Sequence, residues 1–242
     1  MTYYDEGSGP AIVLVPGGSL DSTYLKPFAQ ALVDGGHRVV RVETRRPPVD
    51  PDESVSMHDL ADDVVEVMDE LGLEQCWVAG HAFGNRVART VALDYPDRVE
   101  GVILLAAGGA VPPSAQAQEA LRIAFSDVPD AEALQAMEFM VGDPHDVPAA
   151  WQAVKQARDP SVGDMQRRAL IDTPSDEWAR LATGKRAVVI QGTRDQIAPP
   201  ANGDQLAAEY PDQVRLVTID DAGHLFPLLN PTATAKAILD NI

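Results

Sequence analysis

The chain has 242 residues, and its 37 Asp or Glu against 19 Lys or Arg give a formal charge of −18. That balance opposes nucleic acid or an anionic membrane as partner, and the single cysteine, Cys76, excludes an intrachain disulfide framework. No apolar run is long enough to cross a bilayer and no basic-then-apolar leader stands at positions 1 to 9, so the expectation is a cytoplasmic protein acting on a small molecule.

In chain order, short apolar runs alternate with longer amphipathic segments. Ala11 to Val15 reads as a strand ending in Pro16-Gly17-Gly18, and Arg38 to Val42 as a second one. Ser56, with Asp59 three residues on, predicts a capped helix start. Leu60, Val64, Val67, Met68 and Leu71 then recur at helical spacing until Gly72. Cys76 to Ala79 is a buried strand, Gly84 to Asp94 a helix stopped before Pro96, and Val99 to Ala107 the most apolar strand of all. After residue 183 the alternation resumes with a strand at Ala187 to Gln191, a helix near Ala201 to Tyr210, a strand at Val214 to Ile219 and a closing helix from Thr232. This pattern predicts an α/β fold, a mostly parallel sheet with helices on both faces.

Between Val111 and Thr183 the alternation stops. Prolines recur there, apolar residues such as Leu134, Met137 and Val141 fall at helical spacing, and no strand pattern is visible. The reading is a helical cap over residues 111–183, inserted in a core made of residues 1–110 and 184–242.

Three loops carry the chemistry. Gly80-His81-Ala82-Phe83-Gly84 follows a strand and opens a helix, the setting of the nucleophile elbow G-x-S-x-G, with alanine where the serine belongs. Asp195 ends a strand in Gly192-Thr193-Arg194-Asp195, and His224 follows the last strand in Asp221-Ala222-Gly223-His224. All three lie where a parallel sheet presents its carboxyl edge. The backbone N–H groups of Gly18 and Phe83 are positioned to form an oxyanion hole.

Other candidates have plainer explanations. His81 reads as packing beside the elbow, Ser19 as a tie within its own loop, and His37, His58 and His145 as surface residues. The Asp62-Asp63 and Asp220-Asp221 pairs read as a solvated helix face and a loop. The Met and Trp residues of the cap fit either pocket lining or ordinary packing. No metal-ligand spacing and no phosphate-cradling glycine pattern calls for a cofactor or metal.

With these residues in place the sequence resembles the α/β-hydrolase superfamily along nearly its whole length. The resemblance rests on Gly7-Ser8-Gly9-Pro10 leading into the first strong strand, Pro16-Gly17-Gly18, the elbow, Asp195 and His224. It implies that His224 acts as general base, that Asp195 orients it, and that the substrate is a small ester, amide, enamine or ketone-flanking carbon–carbon bond. The loop Glu43-Thr44-Arg45-Arg46-Pro47 departs from the superfamily's Asp-x-Arg-Gly-x-Gly pattern.

Ala82 is the second departure, because a methyl group cannot form an acyl-enzyme. In this respect the elbow is similar to that of the aminoacrylate hydrolase family. Several readings stay open here: a hydrolase in which His224 activates water, a serine hydrolase whose nucleophile was replaced by alanine, a lyase or isomerase using His224 for proton abstraction, and a ligand-binding protein without catalysis.

Overall fold

The computed structural model describes residues 1–50 and 53–242. Seven strands form one sheet: β1 (Tyr3–Gly7), β2 (Ala11–Val15), β3 (Arg38–Val42), β4 (Cys76–His81), β5 (Val99–Leu105), β6 (Arg186–Gly192) and β7 (Val214–Ile219), in the order β1-β3-β2-β4-β5-β6-β7. Only β1 runs antiparallel, against β3; the remaining pairs are parallel.

The continuous apolar runs have a physical reason. Successive side chains of a strand point to opposite faces, and here both faces are covered. Ile12, Leu14, Trp77, Ala79, Ile103 and Leu105 pack on one face with α1 (Lys26–Asp34), α9 (Phe226–Leu229) and α10 (Pro231–Leu239). Val13, Val15, Val78, Val102 and Leu104 pack on the other with α2 (Met57–Glu70), α3 (Phe83–Asp94) and α8 (Ala201–Glu209). Each Leu, Ile or Val so enclosed contributes about 1.5–3 kcal/mol.

Local signals act as the sequence predicts for α2. Its N-cap Ser56 accepts from the Asp59 N–H while the Asp59 carboxylate accepts from the Ser56 N–H, a reciprocal capping box. One element of that helix differs from expectation. Asp63 faces inward, 6% exposed, and Arg45 grips both of its oxygens at 2.6 Å. A buried carboxylate needs such a partner, and the Glu43–Pro47 loop supplies it.

Residues 111–183 hold α4 (Ala115–Ala124), α5 (Asp130–Met137), α6 (Val147–Ala157) and α7 (Pro160–Asp172), with no strand. Met137, Trp151 and Val154 from this segment join the same apolar cluster as Leu20, Tyr24 and Leu105. No helix of the described residues is long and apolar enough to cross a membrane.

Candidate active site

The turn between β4 and α3 is set by two glycines. A Cβ at Gly80 would overlap the Gly84 carbonyl, and one at Gly84 would overlap the Val15 carbonyl, so strand, turn and helix approach as closely as backbones can. Ala82 sits at the apex with φ +49° and ψ −108°, a conformation that costs an L-residue of order 1–3 kcal/mol. Its N–H donates to the Leu105 carbonyl at 2.9 Å.

Asp195 and His224 come from the loops after β6 and β7. The Asp195 Oδ1 accepts the N–H groups of Ile197 and Ala198, both at 2.8 Å, which fixes the carboxylate. Its Oδ2 lies 2.9 Å from His224 Nδ1. The proton of that bond belongs on Nδ1, so Nε2 is left as a free acceptor. Both residues are nearly buried, at 3% and 5% exposure, yet His224 lines the cavity that also holds Ala82.

The Pro16–Gly17–Gly18 turn abuts the elbow: a Cβ on Gly18 would stand 3.3 Å from Phe83 Cβ. Both residues line the cavity. Three residues fix this turn. Tyr24 Oη accepts from the Gly17 N–H and lies 2.8 Å from His81 Nδ1, while His81 Nε2 lies 3.0 Å from the His224 carbonyl. A neutral imidazole has one donor and one acceptor, so Nε2–H donates to the carbonyl and Nδ1 accepts from the Tyr24 hydroxyl. Burial, with the neighbouring His224 adding to it, pushes His81 down to about 3. The third residue is Gln166 of α7, whose Oε1 accepts from the Ser19 N–H at 2.8 Å and whose Nε2 donates to Thr44 Oγ1 at 3.2 Å.

Sequence reasoning left Tyr24 and Gln166 unnamed, because neither stands in a motif and both act across the fold. His81 is more than packing, since both ring nitrogens are engaged. Ser19, read as a hydroxyl tie within its own loop, is held instead by its backbone, with its N–H on Gln166, its carbonyl on the Asp159 N–H and φ at +60°. The Glu43–Pro47 loop that departs from the superfamily pattern has its own work. Glu43 accepts from the backbone and hydroxyl of Ser22, holding the turn that carries Tyr24. Of the Met and Trp residues between α4 and α7, Met140 lines the cavity while Trp151 lies in the apolar cluster.

The cavity measures about 690 Å³ and lies between this loop edge and the α4–α7 segment. Backbone bonds join the two sides: Leu225 N–H to the Met140 carbonyl at 3.0 Å, Asp159 N–H to the Ser19 carbonyl at 2.7 Å, and Asp21 N–H to the Ala157 carbonyl at 2.8 Å. Its wall is mainly apolar, with Leu20, Leu121, Phe125 and Ile197 among its residues. Among the described residues no cluster of three or more His, Cys, Asp or Glu side chains could hold a metal ion. The arrangement offers one imidazole able to take a proton, a carboxylate that orients it, and two backbone N–H groups beside a strained turn.

Comparison with known proteins bears on the family and the fold. A family model described as the Alpha/beta hydrolase family matches residues 12–237. A protein of Variovorax paradoxus that carries the name carbamate hydrolase RutD is 26% identical over 249 residues, 96% of this chain and 91% of that one. Rhodomycin D methylesterase DauP of a Streptomyces species is 26% identical, over 98% of this chain and 94% of its own. The solved structure of a thermophilic esterase from Thermogutta terrifontis superposes with a TM-score of 0.75 at 27% identity, covering 99% of this chain and 91% of that one.

Proposed function

Since the chain belongs to the alpha/beta hydrolase family, we propose that it is a cofactor-free hydrolase of small carbonyl compounds in which water, activated by His224, replaces the serine nucleophile. The observation that carries this reading is the 2.9 Å bond from His224 Nδ1 to Asp195, which leaves Nε2 free on a residue that lines the same cavity as Ala82. A carbamate hydrolase and a methylesterase among the relatives fit a small carbonyl substrate. Residues 111–183 act as the cap that closes the cavity from above.

The chemistry follows from the placement. A water held against Nε2 attacks the carbonyl carbon as its proton passes to His224. The oxygen charge that develops is met by the N–H groups of Gly18 and Phe83. Collapse then breaks the bond to the leaving group, which takes the proton back from His224. Asp195 remains ionised and stabilises the imidazolium between the two transfers.

A second reading keeps the same base but assigns position 82 to a lost serine, and the strained φ and ψ of Ala82 favour it. One screen separates the two: small esters, amides, carbamates and enamines are offered to the native chain, to Ala82→Ser and to His224→Ala. Water activation predicts turnover by the native chain that His224→Ala abolishes and Ala82→Ser scarcely raises. Recovery on the scale of ~10⁶ in Ala82→Ser, with an inactive native chain, establishes the second reading instead. No turnover in either form overturns both.

A further inference from the structure

Arg86 stands one helical turn beyond Ala82 on α3, and its side chain lines the same cavity. Other arginines here have partners: Arg38 pairs with Asp5, Arg41 with Glu6 and Arg45 with Asp63, while Arg89, next on α3, donates to the Ala179 carbonyl at 2.7 Å. Arg86 has neither a hydrogen bond nor an ion pair among the described residues, and burial alone acts on its guanidinium, lowering its basicity. Its neighbours are the face of Trp178, 5.7 Å away, and Gly108, where a Cβ would come within 3.1 Å of Nη2.

Arg86 is half-buried, so its donors open on the cavity rather than on a protein acceptor, and this chain is not short of carboxylates that could have met them. The surroundings of Arg86 show the same bias. Against an overall charge of −18, the cavity wall carries three arginines, Arg86, Arg122 and Arg167, and one acid, Asp164. Arg122 and Arg167 are exposed and hold Glu119 and Asp164, so only Arg86 keeps its fork free. A planar fork of donors matches the two oxygens of a carboxylate in a bidentate pair.

We propose that Arg86 is the anion-recognition residue of this cavity, and that the substrates are small carboxylic acids carrying the hydrolysable carbonyl on the same molecule. The second half rests on the hydrolase reading given above. Four residues of helix rise roughly 6 Å, so one small molecule can reach both Arg86 and the Ala82 turn.

The test uses 4-oxopentanoate and its neutral analogue 5-methylhexan-2-one, two ligands of similar size and branching that carry no ester or amide bond. Their dissociation constants are measured by calorimetry on the native chain and on Arg86→Gln, Arg86→Lys and Arg122→Gln. The expected result is a preference of at least tenfold for the carboxylate, falling to near one in Arg86→Gln and to an intermediate value in Arg86→Lys. Arg122→Gln keeps most of the preference. Circular dichroism confirms folding, and Arg86→Lys alone carries the test if Arg86→Gln does not fold. Equal binding of the two ligands to the native chain, or no binding of either, overturns the proposal, as does a preference that survives at Arg86. A carboxylate preference without hydrolysis of any ester overturns the hydrolase reading and keeps the subsite. Hydrolysis of neutral esters with no such preference does the reverse.

Discussion

The Nε2–H of His81 donates to the backbone carbonyl of His224, so the histidine beside the elbow holds the loop that presents the histidine facing the cavity. The side chain of His81 is also fixed from the other end by Tyr24, and Tyr24 in turn by Gly17. The elbow, the Pro16–Gly18 turn and the histidine loop are thereby joined through two buried side chains.

Replacing Tyr24 by Phe removes one oxygen and strands two buried groups, the Gly17 N–H and His81 Nδ1. Each such loss costs about 1–3 kcal/mol, so Tyr24→Phe is expected to destabilise the chain by about 2–6 kcal/mol. Urea unfolding of both forms at equal slope measures it. A change below 0.5 kcal/mol would falsify the assigned hydrogen-bond chain.

Asp195→Asn tests the orientation of His224. The Asn oxygen can still accept from Ile197 and Ala198, and its NH₂ then faces His224 Nδ1. The imidazole must turn its proton to Nε2, the wrong tautomer for a base. Turnover of any substrate found in the screen should fall by about 10³–10⁴ with the fold intact. Activity within tenfold of native removes Asp195 from the mechanism.

His81 gives stability a pH dependence of definite sign. In the fold it protonates near 3, and in the unfolded chain near its usual value of about 6.5. Between these limits the unfolded state binds more protons, so stability drops as pH falls from about 6.5 towards 3. The native slope should exceed that of His81→Asn by up to about 1.4 kcal/mol per pH unit. Denaturant titrations from pH 3 to 7 read this difference, and parallel slopes would contradict it.

His58 carries the opposite sign. Its Nδ1 lies 2.6 Å from Asp94 and its Nε2 2.8 Å from Glu177, and these bonds raise its pKa. Its contribution is whole below the unfolded value of about 6.5 and is lost as pH rises through the higher folded one. The side chain is 38% exposed, so screening keeps the effect within about 1 kcal/mol. A melting-temperature series from pH 6 to 9 should show native and His58→Asn converging at high pH. A constant gap between the two curves would show that titration is not the cause.

Much of the architecture is legible in the chain because parallel strands buried on both faces need unbroken apolar runs, as in Val102 to Leu105. β1 escaped notice for the converse reason. It is a partly exposed edge strand of Tyr, Asp and Glu, and nothing in it alternates. α1 is equally silent, a short helix lacking a side-chain cap and buried through Phe28, Ala29 and Leu32. Within the site, Ala82, Asp195 and His224 are legible because each follows a strand. Asp63 is not, since its partner Arg45 comes from a loop that no helical spacing connects to it. Tyr24, Gln166 and Arg86 are known only from what the fold brings to them.

The backbone bonds at Met140, Ala157 and Asp159 change what kind of object the α4–α7 segment is. They rivet its middle and its far end to the very loops that hold His224 and Ser19, so α6 and the start of α7 belong to the frame of the site. The unriveted wall is α4, which reaches the rest of the molecule through α5 and through Arg158, whose guanidinium donates to the Ser126 carbonyl at 2.8 Å. Leu121, Arg122 and Phe125 ride on that wall and its edge. The amides of this ten-residue helix are therefore expected to exchange with solvent well before that of Leu225, which is tied to Met140.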